Sequence, residues 1–124
     1  MLPDVRGYDA LVRDFRWNVP ARYNIAEACC DRWAAATPDA PALIQWTDAG
    51  VRSVSFKHLR QRADKLANAL QGQGVQPGDR VGILLPQCGE AAEAHLAVYK
   101  LGAVAIPLFT LFGPDALAYR LADS

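Results

Sequence analysis

The chain has 124 residues, of which 52% are hydrophobic, enough for one globular core. Its 13 basic and 13 acidic residues cancel to a formal net charge of zero. That balance argues against a nucleic-acid partner or an anionic membrane surface.

The opening, MLPDVRGYD, is charged and lacks the apolar centre of a signal peptide. Tyr8, Leu11, Val12 and Phe15 recur at helical spacing and predict a short amphipathic helix. Residues 17–23 contain Pro20 and read as a connector. Asn24 can cap a second helix, with Glu27 three positions on able to reach back to it. Along one side that helix shows Ile25, Ala28, Cys29, Arg32 with Trp33, and Ala36, and Thr37-Pro38 stops it.

Two short runs, residues 41–46 and 51–55, flank Thr47-Asp48-Ala49-Gly50 and predict a β-hairpin. Ser55 caps the next helix. Leu59, Ala63, Leu66, Ala67 and Leu70 make its continuous apolar face, the clearest helical signal in the chain. Residues 79–85, DRVGILL, read as a buried strand ended by Pro86. Residues 89–101 read as a helix, and residues 103–106 as a second buried strand closed by Pro107. Gly113-Pro114-Asp115 opens a last helix, with proline in its first turn. The most apolar stretch, residues 101–112, is far short of the roughly 20 residues of a spanning helix, and Gly102 and Pro107 interrupt it. The fold class is therefore α/β: a parallel βαβ unit with flanking helices and a small hairpin. Continuous apolar strands expect helices on both faces, so Ile83 and Leu84 should both be buried.

The stretch LQGQGVQPGDRVGILLPQ, residues 70–87, invites a phosphate-loop reading. A phosphate loop follows a strand and opens a helix, so that backbone N–H groups face the anion. Here the glycines follow a helix and precede a strand. Gly72 or Gly74 then supplies the left-handed residue that ends the helix. The partial negative charge at a helix C-terminus repels phosphate. Neither G-x-G-x-x-G nor G-x-x-x-x-G-K-[ST] occurs.

Other candidates carry little chemistry. Cys29, Cys30 and Cys88 are odd in number and lack a paired spacing, which gives no disulfide framework and no zinc pattern. They read as small core or semi-buried thiols in a reduced cytosol. His58 and His95 lie on different helices without a partner at a catalytic spacing. His95 and Tyr99 share one helix face, but no acidic group joins them. Lys57, Arg60, Arg62 and Lys65 read as a solvated face. Trp33 and Trp46 are too dispersed for stacking platforms and read as core or rim packing. These residues alone indicate a soluble α/β domain without a visible active site.

The same glycine stretch has a second significance. GVQPGDRVGILLPQ (74–87), LGAVAIPL (101–108) and LFGPDALAYRLADS (111–124) resemble the amino-terminal region of the adenylate-forming acyl-CoA synthetases. YNIAEACCDRWA (23–34) and SFKHLRQRADKLANAL (55–70) fit the same pattern, in the same order. The likeness runs from about Tyr8 to Ser124, and its details resemble the acetate-to-medium-chain branch. One departure is His58, where the family commonly has an acidic residue three positions after the helix cap.

The resemblance implies that residues 1–124 are the first part of a large amino-terminal domain, with no second domain present. It implies an enzyme that uses ATP and Mg²⁺ to make an acyl-adenylate from a carboxylic acid. The acyl group is then passed to coenzyme A. The family's phosphate loop, adenine and metal stretch, ribose-binding aspartate and catalytic lysine match nothing in these residues. No catalytic or metal-binding residue is carried over, and no cofactor is expected on this segment alone. Leu111, in the loop 109–113, matches a position bordering the coenzyme A path. Two readings follow. One is a structural segment of an acyl-CoA ligase, inactive alone and prone to self-association. The other is a stand-alone, non-catalytic binding or interaction module derived from that fold.

Overall fold

The computed structural model describes residues 7–124. Helix α1 spans Tyr8–Asp14, buries no residue, and is followed by an edge-on contact of Phe15 with Trp17 at 5.0 Å. A π-helical turn, Glu27–Asp31, runs directly into helix α2, Arg32–Ala36. The hairpin pairs β1, Pro41–Thr47, with β2, Gly50–Ser55. Helix α3, Phe56–Gly72, follows. The βαβ unit is β3, Arg80–Leu84, helix α4, Gly89–Lys100, and β4, Val104–Leu108. Helix α5, Pro114–Asp123, ends the chain. The two sheets are separate: an antiparallel β1–β2 pair and a parallel β3–β4 pair.

The Asn24 cap forms as expected. Its Oδ1 accepts from the backbone N–H groups of Ala26 at 2.9 Å and Glu27 at 3.3 Å. Its Nδ2 also donates to the Tyr99 carbonyl at 2.7 Å, which ties the π turn to the end of α4. Glu27 makes no reciprocal bond among the described residues. Asn24→Ala removes both functions and is expected to cost about 1–2 kcal/mol, the scale of a lost cap. Urea denaturation measures it, and an unchanged midpoint would refute the double role.

The buried side of the π turn and α2 differs from the expected one. Ala26, Cys30 and Ala34 are buried, whereas Ile25 and Trp33 are 46% and 43% exposed. A π turn holds more than the usual 3.6 residues, so the inward set steps by four. The small inward residues also let this segment lie close to α3. Trp33 still packs, stacked on Phe56 with centroids 6.2 Å apart. Trp46 does not: it is 86% exposed on the outer face of the hairpin, against the packing role expected of it.

Both helices of the central unit end in the same way, and this settles the glycine stretch. Gly74 has φ 97° and Gly102 has φ 68°, a conformation that glycine adopts without a Cβ penalty. The N–H of Gly74 donates to the Gln71 carbonyl at 2.9 Å, and that of Val75 to Leu70 at 3.1 Å. Gly102 and Ala103 repeat the pattern on Tyr99 at 3.0 Å and Val98 at 3.1 Å. These are Schellman endings, each feeding a strand. Gly78, φ 89°, then donates to the Gly102 carbonyl at 3.0 Å and joins the two turns. The start of α3 is held by Ser55, whose Oγ accepts from the His58 N–H at 3.3 Å.

Two apolar clusters form the core. Cys30, Val54 and Leu59 lie between the hairpin and α3, and Ile83, Val98 and Ala103 lie between the parallel sheet and α4. The parallel sheet is covered less than expected. Ile83 is buried, but Leu84 is 45% exposed. Successive strand residues face opposite ways, and α4 covers only the side of Ile83. On the other side Leu121 of α5 approaches Gly82, yet α5 buries no residue of its own. Pro107 also departs from expectation. It lies inside β4, opposite Ile83, rather than closing it. Proline is compatible with a strand whose outer edge accepts no partner, as β4 is among the described residues.

Candidate functional site

In open parallel sheets ligands bind in the crevice beyond the carboxyl ends of the strands. Beyond β3 the chain runs through Leu85, Pro86, Gln87 and Cys88 into α4. Beyond β4 it runs through residues 109–113 into α5. A cavity of about 560 Å³ lies there, bordered by β1 as well, with Gln45, Gln87, Cys88, His95 and Phe109 on its walls. The carbonyl of Ala91 accepts a hydrogen bond from His95 Nδ1 at 2.8 Å. In a neutral ring that bond requires the proton on Nδ1, which leaves Nε2 as the acceptor nitrogen. The ring lies 6.1 Å from that of Tyr99. His95 is thus a satisfied histidine that pairs with no carboxylate among the described residues.

Cys88 caps α4, and Glu90 follows in the first turn. A hydrogen bond from its own backbone N–H holds the Glu90 carboxyl below its usual range, and a second bond, from Cys88, acts the same way. Arg62 and Arg52 add smaller contributions.

These residues do not fit a triphosphate. Each helix that follows a parallel strand has an acid in its first turn, Glu90 in α4 and Asp115 in α5. Pro114 also removes one of the N–H groups that an anion would use. Among the described residues no three His, Cys, Asp or Glu side chains converge as a metal cage.

The basic residues of α3 are more than a solvated face. Arg62 Nε lies 3.0 Å from Glu93 Oε1, and Glu93 is only 7% exposed. Arg60 lies 3.8 Å from Asp31 and 3.6 Å from Asp64. Lys100 Nζ reaches Asp31 at 2.6 Å and Asp64 at 2.8 Å, which joins the π turn, α3 and α4. Sequence spacing shows only the i,i+4 pair Arg60–Asp64, because the other partners sit on separate helices. A second crevice, about 570 Å³, opens beside Tyr23, Asn24, Glu27 and Arg32. Its charges are of both signs, and Asp31 and Arg60 there are already paired.

Leu111 stands in the loop after β4 and is 81% exposed. Its neighbours are ordered by aromatic contacts. Phe109 and Phe112 meet edge to face at 5.8 Å, and the Arg120 guanidinium lies 3.9 Å from the Phe112 ring centre. Arg120 was not legible as a site residue, since no periodicity links positions 112 and 120.

Comparison with known proteins bears on this geometry. Residues 30–124 match the family described as AMP-binding enzyme. An acetyl-coenzyme A synthetase of Nostoc linckia is 42% identical over 111 residues, covering 88% of this chain and 33% of that protein. One from Vibrio cholerae is 40% identical over 113 residues, covering 90% of this chain and 17% of that protein. The crystal structure of a Brucella canis acyl-CoA synthetase superposes with a TM-score of 0.84 at 30% identity, over 93% of this chain and 23% of that one. The chain thus spans a third or less of the length of these relatives. The match extends through the hairpin, the βαβ unit and α5, and the chain belongs to the AMP-binding enzyme family.

Proposed function

We propose that residues 1–124 form the amino-terminal portion of the large domain of an AMP-forming acyl-CoA synthetase. The observation that carries this reading is the collinear match of nearly the whole chain to acetyl-coenzyme A synthetases. Such an enzyme joins a carboxylic acid to the adenylyl group of ATP and releases pyrophosphate, as atom balance requires. The thiol of coenzyme A then takes the acyl group and AMP departs. The three free thiols suit a reducing cytoplasm. ATP and Mg²⁺ are assigned to residues outside this chain. Within it, the residues 109–113, with Leu111 outermost, border the coenzyme A path. The remaining residues act as scaffold.

The test is an assay of the enzyme carrying this chain with acids from acetate to octanoate. Acid-dependent release of pyrophosphate and coenzyme A-dependent thioester formation are expected. Failure with every acid would overturn the reading.

The 124-residue chain alone is expected neither to adenylate an acid nor to hold ATP tightly. Triphosphates are usually held by a nest of backbone N–H groups at a helix N-terminus, and the two helices after the parallel strands begin with acids. Calorimetric titration with ATP and Mg²⁺ checks this, and a micromolar dissociation constant would contradict it.

Self-association of the chain alone is also proposed. Leu84, Val104, Phe109 and Leu121 are 45%, 50%, 58% and 54% exposed around the parallel sheet. The sheet has only two strands among the described residues, so both outer edges carry unpaired backbone groups. Open edges and apolar patches drive pairing between chains. Sedimentation velocity over a range of concentrations should show dimers or larger species, and a compact monomer throughout would refute it.

A further inference from the structure

We infer that Arg120 is a positioning residue for the loop 109–113, acting on coenzyme A binding through Phe112. The inference rests on the proposed reading of that loop as the border of the coenzyme A path.

The loop has few other restraints. Its internal backbone bond is Phe112 N–H to the Phe109 carbonyl at 3.0 Å. Gly113 caps α5 without a side-chain hydrogen bond. Leu111 is almost fully exposed, and Phe109 is 58% exposed. Phe112 is the half-buried member and the point at which the loop is held.

Arg120 lies two turns into α5, over that ring. Its Nη1 donates to the Ala116 carbonyl at 3.0 Å, which fixes the guanidinium on the helix. Among the described residues no carboxylate forms an ion pair with it, so the Phe112 face is its electrostatic partner. A planar guanidinium both stacks on an aromatic face and interacts with its quadrupole. Phe112 in turn meets Phe109 edge to face, and Phe109 lines the crevice. Arg120 thereby connects α5 to the wall of the crevice.

Coenzyme A is long and flexible, and a loop already held in place spares the ordering cost of binding it. Loss of Arg120 should therefore appear in the KM for coenzyme A.

The test compares Arg120→Met, Arg120→Lys and Leu111→Glu in the enzyme carrying this chain. Arg120→Met is expected to raise the KM for coenzyme A about threefold to tenfold, on the scale of a cation–π contact. The kcat at saturating coenzyme A and the KM for ATP should stay near wild type. Arg120→Lys, which keeps the charge but not the planar stack, should recover only part of the loss. An Arg120→Met enzyme with an unchanged KM for coenzyme A, or with all constants altered together, would overturn the inference. Leu111→Glu tests the underlying reading separately. If it raises that KM while Arg120→Met does not, the loop borders the path and Arg120 does not position it. If it has no effect, the loop is not on the path, and any effect of Arg120 does not run through it.

Discussion

Ile83→Ala is expected to destabilise the protein by about 2–5 kcal/mol, the range for truncating a buried isoleucine. Ile83 is 6% exposed and packs with Val98, 1% exposed, and Ala103, 8% exposed. Leu70 and Val75, the two residues that close the Schellman ending of α3, join the same cluster. The truncation would therefore open a void between the sheet and α4 and loosen the helix end. The crevice next to Ile83 admits some relaxation, which favours the lower half of the range. Leu84→Ala, one residue along, should cost less than about 1 kcal/mol, because a half-exposed side chain loses little burial. Urea denaturation of the two variants measures the contrast. Equal losses would show that the parallel sheet is covered on both faces.

Lys100→Met is expected to cost about 1–3 kcal/mol. Removing one member of a fully buried ion pair costs more, but Asp31 and Asp64 keep 26% and 42% exposure and are partly solvated. Methionine keeps the apolar stem while leaving two carboxylates that, among the described residues, only Arg60 still faces. Burial lowers the Lys100 pKa, but Asp31 and Asp64 more than offset this, and the net shift is upward from 10.5. A group raised in the folded state contributes its full stability below its unfolded pKa. That stability is lost as pH rises through the folded value. The difference between wild type and Lys100→Met should thus be constant up to about pH 10 and shrink above it. Cys30 acts in the same direction from lower pH. Its burial first, and Asp31 next, raise its pKa from 9.0, so alkali ionises the unfolded thiol before the folded one. Denaturation of wild type, Lys100→Met and Cys30→Ala across the alkaline range separates the two. A wild-type minus Lys100→Met difference that grows above pH 10 would refute the sign.

The arrangement of elements was legible from local chemistry. Ser55 and Asn24 announce helix starts through their side-chain oxygens. Gly74 and Gly102 announce helix ends, because only a residue without Cβ takes their backbone shape at low cost. The order of glycines and strand excluded a phosphate loop, and five motifs in register identified the family. The sequence by itself therefore determined the α/β class, the hairpin, the βαβ unit and the kinship. The tertiary structure decided what depends on partners far apart in the chain. It alone showed that a π turn moves the buried stripe to Ala26, Cys30 and Ala34. It alone showed that Leu84 faces outward, since strand periodicity cannot tell one covering layer from two. The joining of Asp31, Asp64 and Lys100, and the seat of Arg120 on Phe112, likewise needed coordinates. Caps and turns act over four or five residues and leave a local signature, whereas ion pairs and ring contacts between separate elements leave none.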